Sequence, residues 1–255
     1  MKPVINLYKP VGMTPLQAVD KFKEENRVYS GKKISYPGRL DPMAQGVLLL
    51  LVGDENKKMI KYMGLDKEYR AQILFGFSTD SHDILGLPKF NGGSVNEREL
   101  KKLIKEFKGK YNQTIPAYSS YRIKGKALFS YARADKMKGI ELPKKVVEIK
   151  DIKINSIHTI TGNRLLREIN RKIIKLKGDF RQEIILDKWR GLLEGKEKEK
   201  FVVLDVTIQC SSGTYIRAIA DDLGKRLNCR GVLLDLIRIK LGRFDVKNSV
   251  RLKIN

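Results

Sequence analysis

The chain has 255 residues, with 42% hydrophobic and 32% charged side chains, enough for one large domain or two small ones and neither a disordered nor a membranous composition. Its longest apolar run, Val47 to Val52, is too short to cross a bilayer, and the start Met1-Lys2-Pro3-Val4 opens no secretion signal. The formal charge of +23 calls for a polyanionic partner, nucleic acid first and an anionic membrane surface next, unless the source organism is simply Lys-rich. Two cysteines (Cys210, Cys229) and two histidines (His82, His158) offer no CxxC or HxxxH spacing. A structural zinc site and a disulfide framework are therefore not expected, and a reducing cytoplasm is the default location.

Taken along the chain, Val4 to Leu7 reads as a strand entering the turn Lys9-Pro10-Val11-Gly12. Thr14-Pro15 supplies an N-cap followed by Pro at the first helical position, with Ala18, Val19 and Phe22 on the apolar side. Tyr36-Pro37-Gly38 is a turn leading into Arg39-Leu40-Asp41-Pro42, and Gly46 to Val52 reads as a buried strand. Asp54 is placed to cap a helix through Met63. Tyr69, Ala71, Ile73, Phe75 and Phe77 alternate as a strand with one apolar face, followed by the polar loop Ser78 to Asp83. Ser94-Val95-Asn96-Glu97 has the form of a capping box ahead of Leu100, Leu103, Ile104 and Phe107. Val147 to Ile157 reads as a strand with a bulge or break near Lys150, and Val202 to Cys210 alternates cleanly. Ser211 to Thr214 then caps a helix bearing Ile216, Ala220, Leu223 and Leu227, and a last strand covers Leu236 to Leu241. Between the last long strands, Thr161 to Lys200 carries a net charge of +5 and reads as an inserted basic hairpin or mobile loop.

Four segments can carry chemistry, and each also has a plain reading. Asp41 stands between a turn and a buried strand, and Pro42 biases it away from helical backbone angles; such an Asp serves equally as a turn former. Cys210 to Arg217 spans a strand end and a helix start, where Arg217 can hold a carboxylate or merely be solvated. Tyr69 begins an apolar strand face, so it fits the core as well as a base-stacking platform. Ile115 to Arg133 interleaves basic and aromatic residues, suited to phosphates and stacking or to a solvated amphipathic helix.

Together these segments resemble the TruB family of pseudouridine synthases. GRLDPMAQGVLLLLVGDENK (38–57) is similar to that family's catalytic Asp segment, and KEYRA (67–71) to its base-stacking Tyr strand. SSGTYIRAIADDLG (211–224) is similar to its Tyr-x-Arg segment, Lys9-Pro10-Val11-Gly12 to its N-terminal loop, and IPAYSSYRIKGKALFSYAR (115–133) to its RNA-clasping loop. Five such motifs in one order, over roughly Val4 to Phe244, are far more specific than any one alone.

The resemblance implies an α/β (α+β) fold: a mixed, largely antiparallel sheet with flanking helices and a central RNA-binding cleft. It implies a single catalytic domain over 1–255, a clasping loop near 116–145 and the basic insertion near 161–200. Asp41 becomes the expected catalytic carboxylate, paired with Arg217. Tyr69, Tyr215, Leu236, Arg238, Tyr36 and Lys9 become expected substrate-binding residues. The expected reaction is isomerisation of uridine to pseudouridine in the T-loop of tRNA at position 55, by base flipping. No cofactor and no metal are expected, nor an obligate protein partner; a monomer acting on the tRNA T-arm is. Tyr36 stands where the family usually has His, and the clasp carries Arg122 in its cationic place. Because the chain stops at Asn255, the family's C-terminal RNA-binding module is expected to be absent or reduced to a stub. The charge and the aromatic-basic loop also suit a non-catalytic RNA-binding or RNA-folding protein; Asp41 with Arg217 is the feature such a binder does not need.

Overall fold

A computed structural model describes residues 1–253. Eight strands make its frame: β1 (Val4–Lys9), β2 (Ala44–Val52), β3 (Lys67–Phe75), β4 (Gly109–Thr114), β5 (Lys144–Thr161), β6 (Lys200–Cys210), β7 (Gly231–Leu241) and β8 (Val250–Arg251). They lie in the order β8-β1-β2-β7-β3-β6-β5-β4, with two-residue strands Ile34–Ser35 and Phe244–Asp245 added on β2 and β7. Only the β1–β8 and β2–β7 pairings are parallel. The mixed, mainly antiparallel sheet expected from the sequence is thus borne out.

The strand order shapes the middle of the sheet. A late strand, β7, inserts between two early ones, so Arg238 pairs with Gly46 on one side and Tyr69 on the other. Three segments far apart in sequence thereby meet at one place.

The continuous apolar run of β2 follows from burial on both faces. Leu48, Leu50 and Val52 enter the main cluster, while Val47 and Leu49 meet Leu241 on the other side. The main cluster is closed by α1 (Pro15–Glu25) and α6 (Ile216–Arg226), with α2 (Glu97–Leu103) beside them. Between α2 and α6 in sequence come a short helix, α3 (Leu128–Arg133), and a helical pair, α4 (Gly162–Ile173) and α5 (Gln182–Leu193).

Of the two readings of residues 161–200, basic hairpin or mobile loop, that pair corrects the second: the segment is a packed helical hairpin. Leu165, Ile169 and Ile173 on α4, and Ile185, Trp189 and Leu193 on α5, recur every four residues and form one stripe per helix. They bury a second cluster with Met43, Leu74, Phe77, Ile84, Val203, Val232 and Leu234. The charges lie on the outer faces, which is why the composition resembles that of a solvated loop.

Helix starts differ from expectation in three places. Asp54 lies inside a 3-10 turn (Gly53–Lys58) and caps nothing. The cap of α2 is Asn96, whose side chain accepts from the Arg98 and Glu99 amides, rather than Ser94. Helix α6 begins after Tyr215 without a side-chain cap, so Ser211 to Thr214 form only the approach. By contrast Thr14 caps α1 through a full capping box with Gln17. The bulge near Lys150 is present, as a register shift between Ile149 and Asp151. Among the described residues no helix is long and apolar enough to cross a membrane.

Candidate active site

Asp41 occupies the turn before β2, where the Ala44 amide donates to its carbonyl. Three fastenings hold that turn. The Gly12 amide donates to Pro42 O at 2.9 Å. Lys9, fully buried, donates from Nζ to Pro10 O and Met13 O at 2.9 and 2.6 Å and reaches Pro42 O at 3.5 Å. Arg238, also buried, donates from Nε to Val47 O at 2.7 Å and from its two terminal nitrogens to Arg39 O and Gly38 O. Gly46 is required here: its φ is +106°, and a Cβ would stand 2.3 Å from Arg238 O.

Arg217, in the first turn of α6, points into the same place. Its Nε donates to Asp41 Oδ2 at 2.7 Å and lies 3.6 Å from Asp83 Oδ2. Its other nitrogens donate to Ser81 O at 2.5 Å and Tyr118 O at 3.2 Å. The Arg217 side chain is 3% exposed and that of Asp41 39%, so the arginine is the buried partner and the carboxylate faces the opening. A narrow cleft lies there, lined by Asp41, Met43, Ala44, Asp83 and Leu233 to Leu236.

Burial sets the electrostatics. It raises the Asp83 carboxyl, against the pull of Arg217 and with the push of Asp41. Burial also opposes the charge of Arg217, but Asp41 and Asp83 outweigh it and hold the guanidinium above its usual range. Lys9 is pushed down to about 7 by burial, Asp41 resisting and Arg238 adding to the shift. Lys67, whose ammonium donates to Met63 O and Leu65 O, is lowered to about 8, again mainly by burial.

The remaining expected site residues gather around this centre with different exposures. Tyr69 is 7% exposed and sits opposite Arg238 in the sheet, where burial raises its hydroxyl. Leu236 lines the cleft. The backbone of Tyr215 is held by two hydrogen bonds with Gln113, whose side chain accepts from Tyr215 N at 2.8 Å and donates to Tyr215 O at 2.9 Å. Tyr36 packs against the main cluster beside the Asp41 turn. Arg39 reaches across to Ser120 Oγ of the 115–133 segment at 3.0 Å.

Asp83, Ser81 and Gln113 carry no signal of their role in the sequence. The stretch Ser78 to Asp83 announces only a polar loop, and nothing local says that Asp83 will be buried beside an arginine 134 positions away. Among the described residues no group of three or more His, Cys, Asp or Glu side chains is placed to hold a metal.

Comparison with known proteins decides the family. Residues 26–170 match the description TruB family pseudouridylate synthase (N terminal domain). The chain belongs to the TruB family. Curated relatives called tRNA pseudouridine synthase B include one from Trichormus variabilis, 34% identical over 254 residues, 99% of this chain and 71% of the relative. Another, from Caldanaerobacter subterraneus subsp. tengcongensis, is 31% identical over 252 residues, 98% of this chain and 72% of the relative. Among solved structures, the chain resembles one from a Cbf5-Nop10-Gar1 complex with a TM-score of 0.59 at 18% identity, covering 98% of this chain and 52% of that one. An archaeal box H/ACA sRNP Nop10-Cbf5 complex gives 0.56 at 19% identity, with 51% of that chain covered. The chain thus spans about half the length of these structural neighbours, and the likeness to them is one of fold. The pseudouridine synthase fold and the enzyme class expected from the sequence are borne out for this TruB-family chain.

Proposed function

We propose that this protein converts uridine to pseudouridine in the T-loop of tRNA, at position 55, with Asp41 as the reacting carboxylate. The observation that carries the reading is Asp41 itself: a partly exposed carboxylate at a cleft, gripped from behind by a buried arginine. The relatives' name, tRNA pseudouridine synthase B, supplies the substrate class.

The chemistry follows from atom balance. The C1′–N1 bond of uridine breaks, the ring turns, and C1′–C5 forms; the proton lost from C5 is matched by one gained at N1. Nothing is oxidised, reduced or transferred elsewhere, so the reaction calls for no cofactor. Asp41 acts at the anomeric carbon as positive charge builds there, by attack or by stabilising that charge. Arg217 fixes the rotamer of the carboxylate through Nε and leaves Oδ1 free of that bond. The target base must leave its stack to reach the cleft. Tyr69 supports the flipped ring, Leu236 and Tyr215 border it, and Tyr36 fills the space where the family usually has His. Lys9 and Arg238 act from within, by holding the carbonyls of the Asp41 turn. The charge of +23 supplies phosphate contacts. The protein works as a monomer in the cytoplasm, on the T-arm.

The test is to incubate the protein with an unmodified tRNA transcript and map pseudouridine by position. Modification at position 55, lost in Asp41→Asn with RNA affinity nearly intact, is the expected result. Modification elsewhere, or Asp41→Asn activity within about tenfold of the parent, about 1.4 kcal/mol of barrier, overturns the reading.

A further inference from the structure

Helix α6 grips the loop Ser78 to Asp83 with two side chains, and only one of them belongs to the site described above. Arg217 and Asp221 stand four residues apart, so they share a helix face. Arg217 takes Ser81 O and approaches Asp83. Asp221 faces the residue between them: its Oδ2 lies 3.1 Å from His82 Nδ1, a close polar contact that falls short of hydrogen-bond alignment, and no other hydrogen-bond partner reaches that buried nitrogen among the described residues. Three consecutive loop residues are therefore fastened to one helix face.

The backbone at His82 shows that this is a built contact. Its φ is +62°, in the left-handed region that a residue with a Cβ adopts at a cost. Glycine fits that backbone more cheaply; histidine adds a ring that reaches the helix. The peptide is pinned on its other side too, where His82 O accepts from Leu233 N at 3.0 Å, and Leu233 lines the cleft. Asp221 is 5% exposed and has one further cation, Lys225, at 2.5 Å. Burial pushes its carboxyl up, and His82 and Lys225 outweigh that and hold it low. The partners of Asp221 sit on the loop and on its own helix, and neither is among the residues that line the Asp41 cleft.

We infer that His82 and Asp221 form a positioning clamp that sets the Ser81–Asp83 loop, and through it the Arg217 guanidinium, against Asp41. The inference rests on the reading of Asp41 as the reacting carboxylate. If the loop slides, Ser81 O and Asp83 move together, and the guanidinium held by both turns away from Asp41 Oδ2. Misplacement on the scale of an ångström is enough to slow a reaction about a hundredfold. Neither clamp residue lines the Asp41 cleft, so RNA binding should be spared.

Three single variants and one double variant test this, with single-turnover pseudouridine formation on a tRNA transcript at saturating protein and a separate Kd for the same RNA. His82→Gly keeps the backbone conformation and removes the ring; its rate constant should fall roughly tenfold or more, with Kd within about twofold of the parent. His82→Asn tolerates the left-handed backbone and places an amide where Nδ1 was; it should recover to within about threefold of the parent. Asp221→Asn should reproduce the loss, and the double variant His82→Gly/Asp221→Asn should be no slower than either single one, because both break the same pairing. Asp221→Asn carries the same expectation alone if His82→Gly melts below the assay temperature. A parental rate in His82→Gly or Asp221→Asn overturns the clamp, as does a loss confined to Kd or an Asn variant as slow as Gly. Asp41→Asn is run alongside. If it turns over, the reading of the site fails; if it is silent while His82→Gly is unimpaired, the clamp alone fails.

Discussion

Arg217 Nε lies 2.7 Å from Asp41 Oδ2 and 3.6 Å from Asp83 Oδ2, so one buried guanidinium serves a partly exposed carboxylate and a buried one. The two carboxylates are not equivalent. Asp83 also accepts from Ser81 Oγ and the Leu85 amide, while Arg217 is the one salt-bridge partner of Asp41 among the described residues.

That asymmetry makes Arg217→Lys a sharp test. A lysine keeps the charge but lacks the planar fork that reaches Asp41, Ser81 O and Tyr118 O together. The turnover rate should fall about a hundredfold or more while RNA affinity changes little. Arg217→Ala should in addition lower stability by about 3–5 kcal/mol, since it strands Asp83 in the interior. Single-turnover rates and denaturant melts separate the two effects; a Lys variant at parental rate would deny the guanidinium its positioning role.

Gly46→Ala should damage the sheet at its functional centre. The added methyl would meet Arg238 O at 2.3 Å, and the backbone there is left-handed. Backbone strain and overpacking together should cost roughly 2–5 kcal/mol. The midpoint of urea unfolding reads this directly, and an unchanged midpoint would mean that β2 and β7 part without penalty.

Much of this architecture can be read from local pattern, because strands β2, β3 and β6 announce themselves by apolar runs or by alternation, and the cap at Thr14 is a short-range signal. Asp41, Arg217, Tyr69 and Arg238 stand out by motif resemblance and converge in space because β7 inserts between β2 and β3. What stays hidden depends on long-range burial. Asp83 and His82 look like ordinary loop residues until α6 is laid beside them. The helices α4 and α5 are obscured by the charges between their apolar positions, although the spacing Leu165, Ile169, Ile173 is there to be counted. Strand β4 escapes the sequence reading because Gly109 to Thr114 is mostly polar, and it exists only by pairing with β5.

Lys9 should leave a signature in the pH dependence of stability. Burial depresses its folded-state pKa from 10.5 to about 7. Between those values the unfolded chain binds the proton and the folded one releases it, so stability rises with pH across the window, by at most about 1.4 kcal/mol per unit. Below about pH 7 both states are charged and the contribution is flat. Relative to Lys9→Met, the parent should therefore gain stability from pH 7 to pH 9. Urea melts of both proteins across that range check it, and parallel curves would show that the ammonium keeps its proton on its three carbonyls.

Trp189 ties the helical pair to the site loop. It is fully buried, and its Nε1 donates to Ile84 O at 3.1 Å, one residue beyond Asp83. Trp189→Ala should cost about 3–5 kcal/mol through the cavity it leaves. Trp189→Phe should cost less, about 1–2 kcal/mol, for the lost indole bond and a smaller void. Equal losses in the two variants would mean that the hydrogen bond, not the volume, carries the residue's contribution.

The outer face of the same helical pair should contribute to RNA affinity. Arg171, Lys175 and Lys177 are exposed along a groove between α1 and the end of α4. Asp235 lines both that groove and the Asp41 cleft, so the two adjoin at that residue. An RNA strand leaving the cleft would pass these cations. Deleting residues 161–200 is a poor way to ask, because it would uncover Met43, Leu74 and Val232. The triple substitution Arg171→Ser, Lys175→Ser and Lys177→Ser removes charge and leaves the buried stripe intact. Each phosphate that is no longer neutralised should lower the slope of log affinity against log salt by roughly 0.7 to 0.9, so a fall of about 1 to 3 is expected. Fluorescence anisotropy with labelled tRNA over a range of potassium chloride measures it. An unchanged slope would mean that the strand leaves the cleft on the other side, past Arg39 and Ser120, and that Arg171, Lys175 and Lys177 lie off its path.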